Sequence, residues 1–193
     1  MSVIVHEISH GYAAKLLGDD TADLAGRLTL NPLKHLDPMG SVLIPFLLIV
    51  SKAGFVFGWA KPVPYNPQNL RDQKWGTVIV ASAGIASNLS IALIFSIIIR
   101  LTIAIGFNSP AFISICGIVV LLNIVLAIFN LVPIPPLDGS RILFALLPPR
   151  LRNIQMYIEQ YGFILLIIFI VFLWQYLAPI IYILYKLLTG LAL

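Results

Sequence analysis

Three runs without a formal charge govern what this chain can fold into: Gly76–Ile99, Ala111–Val132 and Tyr161–Tyr185, the last with Pro179 near its end. A helix advances about 1.5 Å per residue, so crossing a hydrocarbon core of about 30 Å takes about 20 apolar residues. Each run is long enough. In water, three such stretches in 193 residues would have to be buried against one another with few charges left to cover them. Only 10% of the chain is charged and 60% is hydrophobic, against roughly 25% charged residues in soluble domains. The expected fold is an all-α polytopic membrane protein, a single domain over 1–193 built as a bundle of about 4–5 helices. The expected helices are 76–100, 111–132 and a peripheral one over 161–186 with aromatic anchors at Trp174, Tyr176, Tyr182 and Tyr185.

Two further segments read less cleanly. Residues 1–18 suggest a partial helix. Ser41–Trp59 is apolar but interrupted by Pro45, Lys52 and Gly54, and its clean core Val42–Val50 is too short to cross. A re-entrant or short membrane segment fits 41–59 better than a tilted span. The Pro-rich stretch Phe57–Pro64 suits an extended element or sheet edge. The net charge of +4 reports topology and does not call for a nucleic-acid partner. Lys15, Arg27, Lys34, Lys52, Lys61, Arg71 and Lys74 precede the first long run, and Arg141, Arg150 and Arg152 follow the second. The positive-inside rule places both groups in the cytoplasm and the uncharged Gly106–Pro110 outside. Arg100 is the exception, read as a snorkelling side chain. Cys116 is alone, which excludes an intramolecular disulfide.

Chemistry concentrates near the start. His6-Glu7-Ile8-Ser9-His10 is an H-E-x-x-H motif, and it holds two of the three histidines. Residues i and i+4 share a helix face, so both imidazoles can point at one metal ion. Zinc lowers the pKa of its bound water to about 7, and an adjacent carboxylate can accept the proton. Ionisable groups inside a membrane helix are expensive, and three within five residues ask for a metal or a wet cavity. A catalytic zinc usually takes three protein ligands. His35, in a turn-rich loop, is a weak candidate for the third. Asp138 is the better one, because Pro133, Pro135 and Pro136 break the helix before it, and irregular backbone at membrane depth lines a cavity or packs on protein. A helix N-cap explains Asp138 equally well on the residues alone.

The H-E-x-x-H pair together with Asn130-Leu131-Val132-Pro133-Ile134-Pro135-Pro136-Leu137-Asp138-Gly139 resembles the site-2 protease family of intramembrane zinc metalloproteases. Gly26–Pro32, His35–Pro38 and Gly58–Pro64 support the resemblance, which covers about residues 3–147 and is closest to small prokaryotic members without PDZ or CBS domains. It implies one zinc per chain held by His6, His10 and Asp138, with Glu7 as the general base. It further implies a membrane-anchored protein substrate cut near the cytoplasmic side of a prokaryotic cell membrane. Asn88 and Asn130 would support the substrate or the transition state, although Ile85 stands where the family often has Pro. A silent helix-binding family member and a metal transporter are the alternatives. If the site lies toward the cytoplasm, the five residues before His6 cannot reach the other face, so a first helix continuing upstream of Met1 is expected.

Overall fold

The computed structural model describes residues 1–52, 58, 60–107 and 109–191. Among these residues eight α-helices follow in order: α1 (Ser2–Leu16), α2 (Thr21–Leu24), α3 (Ile44–Val50), α4 (Gln73–Ala104), α5 (Pro110–Leu131), α6 (Asp138–Leu146), α7 (Arg152–Ile168) and α8 (Ala178–Thr189). No strand occurs among the described residues. Among the described residues three helical stretches are long and apolar enough to cross a membrane: Gln73–Ala104, Pro110–Leu131 and Arg152–Tyr176.

α4 is the spine, and α1, α5, α6 and α8 all pack on it. It starts where Asp72 caps the Trp75 N–H at 2.9 Å. α5 opens on Pro110, whose missing N–H costs nothing in a first turn. It stops at Leu131 because Pro133 forces Val132 into extended geometry. The main core joins Ala92 and Ile99 of α4, Cys116, Val120 and Ile124 of α5, and Ile181 and Tyr185 of α8. Gly117 lets α8 come close: a Cβ there would lie 2.6 Å from the Tyr185 hydroxyl.

The run expected as one peripheral helix over 161–186 is instead two helices. α7 begins at Arg152, a π-type turn spans Phe169–Leu173, and a single tight turn at Trp174–Tyr176 precedes α8. Pro179 explains the break, because its ring cannot follow a regular helical turn and lacks the N–H that would bond one turn back. Nor is α8 peripheral, since Ile181 and Tyr185 are buried in the core. Arg100 also has a structural task. Its Nε donates to Leu188 O at 2.6 Å and its Nη2 to Leu187 O at 2.7 Å. It thus satisfies carbonyls that the end of α8 leaves open.

The segment over 41–59 is partly described: residues 53–57 and Trp59 lie outside the described residues, as does Asn108 in the Gly106–Pro110 connection. Asp37 caps a π-type turn over Pro38–Leu43 by accepting from Gly40 N–H at 2.7 Å, and α3 continues it. The apolar helical stretch Pro38–Val50 covers about 20 Å, short of a crossing. Of the extended element expected over 57–64, residues 60–64 form an irregular strap.

That strap is tied down from both sides. Arg27 donates to the carbonyls of Lys34, Lys61 and Pro62, and Lys61 N–H donates to His35 O at 2.8 Å. Further on, Asp19 is fully buried and accepts from Asn66 N–H at 2.6 Å, Asn69 Nδ2 at 2.8 Å, Thr21 N–H at 3.2 Å and the Thr21 hydroxyl. Burial pushes the Asp19 carboxyl up, but these donors together outweigh it and hold it below its ordinary value. The carboxylate therefore stabilises the fold above the unfolded pKa of about 3.9, and that contribution is lost as pH falls through the lower folded value. Asp19→Ala, which strands buried donors, is expected to cost about 1–3 kcal/mol at neutral pH. Thermal unfolding checks it, with wild type and variant converging in strong acid.

Candidate metal centre

His6 and His10 lie one turn apart on the buried face of α1, turned toward α4. α4 makes room with Gly84: a Cβ at that position would sit 2.6 Å from His6 Cε1 and from both Cε1 and Nε2 of His10. Asp138 arrives from the other side, at the first residue of α6. Its carboxylate makes no capping bond to α6, so the N-cap reading does not apply. Instead Oδ2 lies 3.0 Å from His6 Nε2 and 3.1 Å from His10 Nε2, and the two Nε2 atoms are 3.1 Å apart. All three side chains are buried, at 4–6% exposure. No lysine or arginine pairs with Asp138 among the described residues.

The outer nitrogens decide what this trio can hold. His10 Nδ1 lies 2.7 Å from Val80 O, a carbonyl that can only accept. The proton must be on Nδ1, which leaves the Nε2 lone pair facing the centre in a neutral ring. His6 Nδ1 lies 3.0 Å from the Asn88 side-chain nitrogen, and the buried Asn88 Oδ1 has no partner. A half-turn of that amide would bring Oδ1 onto a protonated Nδ1, presenting the His6 Nε2 lone pair as well. Nitrogen and carboxylate ligands bind zinc at about 2.0–2.2 Å, which places them a little over 3 Å apart around one ion. The donor set and its spacing fit zinc.

Glu7 lies beside the trio, half-buried. Its Oε2 accepts the Val63 N–H at 2.9 Å. Pro62 and Pro64 have no N–H, so Val63 carries the one donor of that tripeptide and spends it on Glu7. His6 and Glu7 open onto a cleft of about 440 Å³, walled by Val3, Leu126, Phe129 and Asn130. Asn130 donates to Leu126 O of its own helix at 3.0 Å and lines this cleft. Asn88 does not: it is fully buried behind His6, with its side-chain amide against that ring. His35 stands apart, with its Nε2 donating to Thr29 O at 2.8 Å.

Several site residues escape a reading of the sequence. The small residues Ser82, Ala86 and Ser90 suggest a packing stripe on α4, yet the close approach is at Gly84, four residues before Asn88 on the same face. Gly162 is another. A Cβ there would lie 2.6 Å from Pro135 Cβ, so α7 rests directly on the loop that delivers Asp138.

A buried His-His-Asp trio able to hold a metal ion, set among helices long and apolar enough to cross a membrane, fits the class of multi-pass membrane metalloproteins. Comparison with known proteins makes the class specific. The sequence model of peptidase family M50 matches residues 102–171, which include the Asn130–Gly139 segment. YwhC of Bacillus subtilis, whose name places it provisionally among zinc metalloproteases, is 42% identical over 176 residues, covering 89% of this chain and 77% of its own. Rip2 of Mycolicibacterium smegmatis, named in the same way, is 33% identical over 89% of this chain and 64% of its own. Rip2 of Mycobacterium tuberculosis is 28% identical over 79% of this chain and 55% of its own. The chain thus spans less than two thirds of the mycobacterial relatives. No solved structure matches it. The chain belongs to peptidase family M50, the site-2 protease family of zinc metalloproteases.

Proposed function

We propose that this metalloprotease cuts membrane-anchored protein substrates within the membrane, near its cytoplasmic face, using one zinc held by His6, His10 and Asp138. The observation that carries the reading is the convergence of those three buried ligands beside Glu7, with His6 and Glu7 lining a cleft that α5 helps to wall. A zinc bound there supplies a Lewis acid and makes hydroxide accessible at neutral pH. The chain's own residues do the rest. Val80 O and Asn88 set the His10 and His6 rings from behind. The Val63 N–H fixes one Glu7 oxygen, while Oε1 has no protein donor among the described residues. Glu7 takes the proton of the attacking water through its free oxygen and returns it to the departing amine. Asn130, on the cleft wall, contacts the substrate backbone.

Orientation follows from the charges. Asp138 lies just past the end of α5, with Arg141, Arg150 and Arg152 close behind it in the chain, and α1 leads from His10 to Lys15. The positive-inside rule puts these cations, and so the site, toward the cytoplasm. A helical substrate hides its carbonyls in internal hydrogen bonds and must unwind to be cut. The irregular stretch 60–64, its Lys61 and Val63 N–H groups already bonded, offers chiefly carbonyls against which an extended segment can lie. Cleavage in proteoliposomes tests this reading. Pro or Gly placed beside the scissile bond of a transmembrane substrate is expected to raise the rate several-fold, with product ends mapping to the cytoplasmic half of its helix. Unchanged rates, or cleavage only of soluble peptides, would contradict the intramembrane reading.

A further inference from the structure

A second cavity, of about 450 Å³, shares no lining residue with the catalytic cleft. It lies between the first turn of α4, α6, the start of α7 and the loop at Tyr65–Pro67. Lys74, Arg141 and Glu159 line it together with Thr77, Tyr65 and Phe144. The charges are unspent. Among the described residues the ion pairs are those of Asp138 with His6 and His10 and of Lys15 with Asp23, so none of the three cavity charges has an ionic partner. Arg141 lies over the Tyr65 ring, 5.3 Å from its centroid, and Lys74 lies 5.9 Å from that of Trp75. These contacts orient the cations without neutralising them. Among the described residues Glu159 accepts only from Gln155 Nε2, at 2.8 Å.

We infer that this cavity binds the headgroup of an aminophospholipid such as phosphatidylethanolamine, with the phosphate on Lys74 and Arg141 and the amine on Glu159. Two cations and one anion, brought to one cavity by three different helices and not paired with one another, suit a ligand that carries both signs. Arginine and lysine are the side chains that hold phosphate. The place is right as well. Both α4 and α7 begin here, which on the orientation proposed above is the end that meets the cytoplasmic headgroups, and Phe144 and Ala145 give an apolar wall for the first carbons of a lipid tail. Arg141 is one turn beyond Asp138 on the short α6, so an occupant braces the helix that presents Asp138.

The test uses the full chain in detergent, incubated with equimolar phosphatidylethanolamine, phosphatidylglycerol and phosphatidylcholine, with bound lipid read by native mass spectrometry. The inference requires several-fold enrichment of phosphatidylethanolamine, and loss of that enrichment in Lys74→Gln/Arg141→Gln. Glu159→Gln should keep a phospholipid bound but erase the preference over phosphatidylglycerol. Lys74 and Arg141 are both exposed, so neither substitution disturbs the core, and Lys74→Gln alone should also lower retention. Equal retention by wild type and either cation variant would overturn the proposal, as would no preference among the three lipids. Free phosphoethanolamine displacing the lipid at equal concentration would overturn its assignment to a membrane lipid.

Discussion

Glu7→Gln should retain zinc and lose peptide hydrolysis by about 10²–10⁴-fold, the contribution usual for a positioned general base. The substitution keeps the shape of the side chain. Its amide oxygen can still accept the Val63 N–H that holds Oε2 at 2.9 Å, so the strap stays in place. It removes no atom from the His6–His10–Asp138 trio. What it removes is the acceptor for the water proton. Single-turnover cleavage and metal analysis on the same preparation separate the two outcomes. Hydrolysis at the wild-type rate would sink the assignment of Glu7; loss of the metal along with the rate would show that Glu7 shapes the site and is not simply its base.

Gly84→Ala should lower zinc affinity by about 10–100-fold, the range found when groups that orient metal ligands are disturbed. The new Cβ would lie 2.6 Å from atoms of both imidazoles. Neither ring can simply step aside, because His10 is fixed behind by Val80 O at 2.7 Å and His6 by Asn88 at 3.0 Å. Either α1 moves off α4 or the rings turn away from the centre. Alanine is a better helix former than glycine by about 1 kcal/mol, so a poorer α4 cannot explain the loss. Competition against a chelator of known affinity reads the effect. Unchanged affinity would contradict the close packing of α1 on α4 at Gly84.

What the sequence discloses is what local patterns encode. Long uncharged runs reveal spanning helices because hydropathy sums over neighbours. His6 and His10 are legible as a pair because four residues make one helical turn. Asp138 is half legible: its prolines announce an irregular segment, but whether the carboxylate caps α6 or leaves it depends on where α1 lies, 132 residues away in the chain. The break before α8 was signalled by Pro179, which a hydropathy sum passes over. Glu7 and Val63 meet across 56 residues and His10 and Val80 across 70, and nothing in the spacing of either pair encodes the contact. Asn88 is instructive in another way. Its position supports a polar role near the site, yet only packing shows that the amide serves His6 from behind.

X-ray absorption at the zinc edge, with metal stoichiometry, on wild type and Asp138→Ala tests the central claim most directly. One zinc per chain is expected, with nitrogen and oxygen neighbours at about 2.0–2.2 Å and no sulfur at about 2.3 Å. Asp138→Ala should lose most of that zinc at equal free metal. Full zinc binding by Asp138→Ala, or a sulfur neighbour in the wild type, would contradict a centre made of His6, His10 and Asp138.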